Sequence, residues 1–520
     1  MPNYFSDRPH PTLTLLLLCI ASVGVLFLLE SHTGISLWDE GFLWYGAQRV
    51  MLGEVPMRDF MAYDIGRYYW SAALMSLWGG KGIVALRFAI TIFQGIALYI
   101  GLSALARHTP KQNIAFWILA TTILLAWLSP QFRVFDIALP IILVATLSFL
   151  IEQPTARRYF LTGLILGGVA IFGRNHGIYG VLGSLSVMAY LFTRRTTEAV
   201  TPIRAFAAWL LGVVVGYLPM LLLLVMIPGL AQAFGESILW LFEIKGTNLP
   251  LPVPWPWLVP FGKLSFIEIM RAVSLGTLFI AIIVFGVVGI AWGMRRRLQG
   301  KDTSPLLIAA IALTLPYAHY AYSRADIAHL APGIPPFLMG VLLLLAMQSS
   351  RVKWTLMVLF VGVSLLVMLP TRYAWDCYAV NQCVNASVAG DRLYFDERTA
   401  GNLVILDKLA ARFAPGDRPF IATPFWPGAY AALGKKSPMW DIYALFPRSE
   451  ALQKNEIERI KVAKPGFVVI NDFSLDKRES DRFRATHSTI DQYIRDEFVQ
   501  LNVSSAGSSE MRIYKNKQAE

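Results

Sequence analysis

Charged side chains are scarce in this sequence. Lys, Arg, Asp and Glu make up 15% of its 520 residues, against roughly 25% in soluble globular domains. Apolar residues reach 55%. The scarcity is uneven: residues 1–370 hold 25 basic and 15 acidic side chains, while residues 371–520 hold 21 and 19. Half of all charges therefore fall in the last 150 residues, which read as an ordinary water-soluble domain. The net charge of +12 belongs mainly to the first part. No nucleic-acid motif or basic-aromatic repeat accompanies it, so a nucleic-acid partner is excluded as the reason for the basicity. Cysteine is almost missing, with three residues in all, which excludes a disulfide-dense scaffold. The soluble tail also lacks a Gly-rich phosphate loop, a nucleophile elbow and a metal-ligand cluster. It is expected to be a docking or acceptor-guiding module rather than a second catalytic centre.

Long apolar runs are what the first 370 residues do have. They lie near 12–30, 83–106, 112–128, 135–151, 159–173, 177–193, 203–227, 272–293, 305–319, 330–347 and 354–370. About twenty apolar residues suffice to span a bilayer as a helix. The expected fold class is a polytopic α-helical membrane protein of about eleven transmembrane helices with a small C-terminal α/β soluble domain. The first run lacks an A-x-A cleavage site and is read as a retained helix. Two domains are expected: 1–370, with its first outer loop at 31–82, and 371–520.

Charge in the loops sets an orientation. One set of connections carries Arg8, Arg107, Lys111, Arg157, Arg158, Arg194, Arg195, Arg204, Arg295, Arg296, Arg297, Lys301, Arg351 and Lys353, against the acids Asp7, Glu152, Glu198 and Asp302. By the positive-inside rule this face is cytoplasmic. The loop 31–82, the loop 228–271 and the tail then lie outside, with the N-terminus inside. Cys377 and Cys383 sit six positions apart just past the last run, where a disulfide is permitted. A zinc pair would need two more ligands nearby. The tail alternates helical stretches (397–412, 450–463, 479–497) with strands (419–424, 466–472, 511–516), as small α/β domains do.

A charge embedded in a membrane costs about 2.5–3.5 kcal/mol on insertion scales, so clustered polar residues mark a site. Nearly all of them fall on the outer face. The first loop supplies Asp39, Glu40, Arg49, Glu54, Arg58, Asp59, Asp64 and Arg67 among aromatics. Its apolar residues Phe42, Leu43, Tyr45, Val50 and Met51 predict a short amphipathic helix suited to the membrane interface, starting at the acid pair and ended by Gly53 and Pro56. Asp39 has two readings, a helix cap or a catalytic carboxylate. Arg133 and Asp136 open the fourth run. Arg174, Asn175 and His176 join the fifth to the sixth. His319, Arg324, Asp326 and His329 join the ninth to the tenth. Singly these are interfacial anchors; together they suit an anionic headgroup.

Trp38-Asp39-Glu40-Gly41, Gly53-Glu54-Val55-Pro56 and Arg58-Asp59-Phe60 follow the first run, and Arg324-Ala325-Asp326 with His329-Leu330 lies near the tenth. With many spans and a soluble tail, this pattern resembles the C-type superfamily of membrane glycosyltransferases, in particular the bacterial relatives of protein O-mannosyltransferases and the lipid A aminoarabinose transferase. Where many relatives carry prolines after the first-loop tyrosine, this chain has Tyr63-Asp64-Ile65-Gly66-Arg67.

The resemblance implies an inverting transfer of a hexose or pentose from a polyprenyl-monophosphate sugar donor, reached from the lipid bilayer. The acceptor would be an envelope glycan, lipid or protein on the outer, periplasmic face of the bacterial inner membrane. Asp39 would be the general base and Glu40 would orient it or bind acceptor. Arg58, Arg174, Arg324 and His329 would hold the donor phosphate, for which guanidinium forks are suited. Asp59, Arg67, Asp136, His176 and Asp326 would complete the polar surface. A divalent cation among the acids and histidines stays open, because no ligand spacing demands one. Two other functions compete: a transporter or flippase of a lipid-linked sugar, and a ligase or polymerase using a diphosphate-linked donor. No internal repeat of the transporter kind is present.

Overall fold

The structure is a computed structural model and describes residues 12–193, 200–244, 248–380, 382–501 and 510–517. Asp7, Arg8, Arg194, Arg195 and Glu198 of the loop-charge pattern lie outside the described residues. The described residues up to position 370 form helices and their connections. In chain order the main helices are α1 (Thr12–Glu30), α2 (Asp39–Met51), α3 (Gly66–Trp78), α4 (Ile83–His108) and α5 (Ile114–Trp127). There follow α6 (Val134–Glu152), α7 (Ala156–Phe172), α8 (Arg174–Phe192), α9 (Pro202–Met226) and α10 (Leu230–Glu243). The last are α11 (Phe266–Leu298), α12 (Pro305–Ser323), α13 (Ile327–Gly333), α14 (Pro335–Ala346) and α15 (Ser350–Met368).

Local sequence explains many of these boundaries. Pro202, Pro305 and Pro335 occupy first helical positions, where the missing N–H costs nothing. Ser265 and Glu268 close a capping box at the start of α11, and Arg295, Arg296 and Arg297 fill its last turn, opposite the dipole they complement. Prolines at 332, 335 and 336 interrupt the tenth apolar run, so it forms α13 and α14 with a 59° bend between them.

Among the described residues seven helices are long and apolar enough to cross a membrane, or eight if the bent pair is one broken span. The chain is thus a polytopic α-helical membrane protein. Each of the eleven apolar runs overlaps a helix, but α5, α7 and α8 are too short or too polar to be established as spans by length and composition.

The chain divides into two compact units. The first comprises the chain up to Phe27, Ile90–Ala231 and Ile238–Arg372. Its centre is α6 and α12, which pack on each other, and α12 also meets α8, α11, α13 and α14. At its margin α7 and α9 run in close contact. Gly163 and Gly167 on α7 face Gly212 and Gly216 on α9. A Cβ on Gly163 would lie 2.0 Å from the Trp209 carbonyl oxygen, and one on Gly216 would lie 2.1 Å from that of Leu164. Only glycine allows this backbone approach, the small-residue packing typical of helices in lipid.

The second unit comprises Leu28–Ala89, Gln232–Ser237 and Tyr373–Glu520. The loop after α1 and the C-terminal tail therefore fold together. The tail contains the hairpin β1 (Cys383–Val388) and β2 (Asp391–Asp396), and a four-stranded sheet of β3 (Ile421–Thr423), β4 (Phe467–Asn471), β5 (Phe498–Leu501) and β6 (Met511–Asn516). The sheet order is β3-β4-β6-β5, with β3 parallel to β4 and the other pairs antiparallel. Its core gathers Ile421, Ile457, Ile460, Val468, Ile470 and Ile494, alternate sheet positions meeting the apolar faces of helices Glu450–Ala463 and Ser488–Glu497. Cys377 and Cys383 form a disulfide with Cα atoms 5.4 Å apart, and Cys19 is buried and free.

The hairpin anchors the start of the loop after α1. Gly34 N–H donates to the Tyr394 carbonyl and Tyr394 N–H to the His32 carbonyl, both at 2.8 Å. Asp391, in the strand after the hairpin turn, accepts the Val84 N–H at 2.9 Å in the first turn of α4, satisfying an otherwise orphaned helix donor.

The structure corrects the expectation of an interfacial α2. Residues 40–48 are all buried. One side packs on α3 and another on the tail helix Pro427–Leu433. Gly41 lies against the Gly428 backbone, where a Cβ would come within 2.6 Å, and Gly46 lies against the Tyr68 ring. The amphipathic pattern was real, but its second face is covered by residues nearly 400 positions away.

Candidate active site

The acid pair opens α2, and its two members have different surroundings. Glu40 is fully enclosed and forms an ion pair with Arg87, near the start of α4. Arg87 Nε donates to Oε1 at 2.8 Å and Nη2 to Oε2 at 3.0 Å. The rest of the guanidinium donates to the carbonyls of Glu30, Ser31, Thr33 and Gly34 at 2.7–3.1 Å. Glu40 also accepts the Ser36 N–H at 3.3 Å. A buried charge pair is tolerable only when its remaining hydrogen-bonding capacity is met in this way. Glu40 therefore closes the turn that leads into α2 and does not present its carboxylate to a ligand in this structure.

Asp39 is half-buried. It occupies the first helical position, and α2 has no side-chain cap bond. The capping reading of Asp39 is thereby set aside. Its Oδ1 instead accepts the Tyr443 hydroxyl at 2.9 Å. Among the described residues no cation forms an ion pair with it. Trp38 beside it stacks on Phe473, with ring centroids 5.0 Å apart, and meets Phe425 at 5.8 Å.

The other first-loop charges hold the loop together. Arg49 Nε donates to Glu54 at 2.9 Å, and Lys436 reaches the same carboxylate at 2.7 Å. Arg58 grips Asp59 with Nε and Nη2, each at 2.8 Å, and Asp59 also accepts the Val55 N–H at 2.8 Å. The Arg58 fork holds the Asp59 carboxyl below its ordinary value. The fork expected to receive a phosphate is thus engaged by the adjacent residue. Arg67 is buried, with its guanidinium over the Tyr63 ring.

The first unit contains its own polar chain. His176 Nε2 lies 3.2 Å from Asp136 Oδ1, and its Nδ1 lies 2.9 Å from the Tyr317 hydroxyl. Arg133 stands 3.9 Å from Asp136 and donates to the Tyr320 hydroxyl at 3.3 Å. Its Nη2 is 3.4 Å from His329 Nε2. His329 Nδ1 is 2.7 Å from Asp326, which caps α13 and also accepts Arg324 Nε at 2.7 Å. Asn248 meets His329 at 3.2 Å, and Arg324 donates to the Leu249 carbonyl at 3.0 Å. Arg174 begins α8 and is half-buried.

The polar residues of four helix ends expected to converge thus do so in part. Asp136, His176, Arg324, Asp326 and His329 are joined through Arg133 and tyrosines from α12. Such a chain can offer cations and N–H or O–H donors to an anion. Among the described residues no group of three or more His, Cys, Asp or Glu gathers as a metal site.

Arg87, Tyr317 and Tyr443 are among the partners not assigned from sequence. Arg87 carried a signal, a lone arginine inside an apolar run, which requires a partner. Tyr317 and Tyr443 carried none, because a tyrosine in an apolar or aromatic stretch reads as packing.

No protein-family model and no curated protein matches the sequence. Among solved structures the chain is similar to ArnT from Cupriavidus metallidurans bound to undecaprenyl phosphate. Identity is 13%, covering 97% of this chain and 98% of that one, with a TM-score of 0.53. An Archaeoglobus fulgidus oligosaccharyltransferase tethered with an acceptor peptide matches at 10% identity over 98% and 74%, with a TM-score of 0.42. The helix-rich membrane part and the small α/β tail thus share the fold of ArnT over nearly the whole length of both chains.

Proposed function

We propose that the protein is an inverting glycosyltransferase that moves a sugar from a polyprenyl-monophosphate donor to an envelope acceptor outside the inner membrane. The observation that carries this reading is the division of labour in the acid pair. Glu40 is neutralised by Arg87, while Asp39 keeps a half-exposed carboxylate at the helix start. The fold shared with ArnT, which was solved with undecaprenyl phosphate, supports a lipid-phosphate donor.

In this proposal Asp39 takes the proton of an acceptor hydroxyl as that oxygen attacks the anomeric carbon. The bond from that carbon to the phosphate oxygen breaks on the opposite side, and the electron pair leaves with the polyprenyl phosphate. Glu40 orients its neighbour by fixing the turn before α2. Arg174, Arg324, His329 and Arg133 engage the donor phosphate, whose negative charge grows as the bond breaks. Asp136, His176 and Asp326 hold those cations in place. Arg58 is left out, because Asp59 occupies its fork.

The test uses full-length protein in lipid nanodiscs with synthetic undecaprenyl-phosphate hexoses and pentoses, reading release of undecaprenyl phosphate. Wild type is expected to consume at least one donor. Asp39→Asn is expected to lose about 10²–10⁴-fold in turnover, the usual contribution of a general base. Near-normal turnover by Asp39→Asn would remove the base from this position, and failure of wild type with every donor would overturn the function.

A further inference from the structure

We propose that Tyr443 is a positioning residue for Asp39, which makes the C-terminal segment part of the catalytic apparatus rather than an accessory. This rests on the reading of Asp39 as the base. The Tyr443 hydroxyl donates to Asp39 Oδ1 at 2.9 Å. A carboxylate on a helix start can rotate about two side-chain bonds. A donor fixed on Oδ1 restricts that rotation and leaves Oδ2 to receive the acceptor proton.

The hydroxyl can do this only if its own backbone is held, and it is. Tyr443 is 7% exposed, its ring meeting Phe42 and Phe425 with centroids 5.2 and 5.3 Å away. The segment before it is tied to the first loop at both polar ends of Trp440. The Trp440 indole N–H donates to the Met57 carbonyl, and its carbonyl accepts the Met61 N–H, both at 2.9 Å. Ala444 N–H donates to the Pro424 carbonyl at 3.0 Å.

The same stretch grips α2 on either side of the base. Gly428 N–H donates to the Leu37 carbonyl at 2.9 Å, and the Ser437 N–H donates to the Tyr45 hydroxyl at 3.0 Å. Gly41 and Gly428 meet backbone to backbone. Residues 424–444 thus hold the helix before, at and after Asp39, and Tyr443 alone of these contacts reaches the carboxylate itself.

Tyr443→Phe removes the hydroxyl and keeps the ring packing. In full-length protein, with an undecaprenyl-phosphate sugar that wild type consumes, kcat is expected to fall about 10-fold, the effect of one hydrogen bond to a charged group. The KM for that donor and the unfolding temperature are expected to stay unchanged. Because Tyr443 acts through Asp39, the same change made in an Asp39→Asn background should cost nothing further, which a packing role could not produce. Wild-type kcat in Tyr443→Phe, or an equal loss in both backgrounds, would overturn the positioning role and leave the function standing. A lowered unfolding temperature or a raised KM accounting for the whole loss would do the same. Near-normal turnover by Asp39→Asn would instead overturn the base and this inference with it, as would a wild type inert to every donor.

Discussion

Arg87 shows how a single buried side chain can define a loop. It binds Glu40 through two nitrogens and four carbonyls of the chain between Glu30 and Gly34. Arg87→Met would leave the Glu40 carboxylate enclosed without its cation. We expect a loss of about 3–5 kcal/mol, as for other broken buried pairs. The double change Glu40→Met with Arg87→Met should recover much of it, because the stranded charge is gone. Thermal unfolding of the purified variants checks this: equal unfolding temperatures for wild type and Arg87→Met would show that the pair does not hold the loop. The acid pair was legible as a feature, since two adjacent carboxylates after an apolar run are conspicuous. Their separate roles were not, because the partners lie 47 and 404 positions away.

At the scale of elements, α7 and α9 depend on glycine. Gly163, Gly167, Gly212 and Gly216 let the two backbones touch, whereas a Cβ on Gly168 would meet nothing within 4 Å. Gly163→Val is expected to destabilise by about 1–3 kcal/mol or more, as overpacking does, and Gly168→Val is expected to be neutral. The pair of variants is read by detergent-solubilised unfolding, and equal behaviour would refute close packing as the reason for the glycines. Helices of this part were legible because apolar length alone specifies them. The β1–β2 hairpin was not, although Ala389 and Gly390 at its turn both take positive φ, the signature of a primed two-residue turn. Its strand Cys383–Val388 is largely solvent-facing, so it lacks the apolar alternation that marks a half-buried strand. The tail strand β4 was legible as an apolar run, and β6 by the strand-favouring Ile513 and Tyr514 among polar neighbours. The short β5 was not assigned, since the four residues after the helical stretch ending at 497 are too few to show a strand pattern.

For the whole molecule, the orientation in the membrane is the largest proposal still to be tested. Basic residues crowd one set of loops, which predicts that a reporter active only in the cytoplasm works when fused after Arg297. The same reporter after Lys517 should be silent. Activity at the later position would place the tail, and Asp39 with it, on the cytoplasmic side and would sink an envelope acceptor.

By itself the sequence determined that this chain is a multi-pass helical membrane protein with a charged α/β tail. The physics there is local: in lipid each backbone polar group must be satisfied within its own segment, so composition over about twenty residues decides the helix. It also singled out the polar residues near helix ends, since charge is costly there. Only the tertiary structure decided that the loop after α1 and the tail form one unit, that α2 is enclosed on its faces, and that Glu40 is paired while Asp39 is held by a tyrosine. Those outcomes rest on contacts between residues hundreds of positions apart, where a hydroxyl or a guanidinium finds its partner through folding and no local pattern records the meeting.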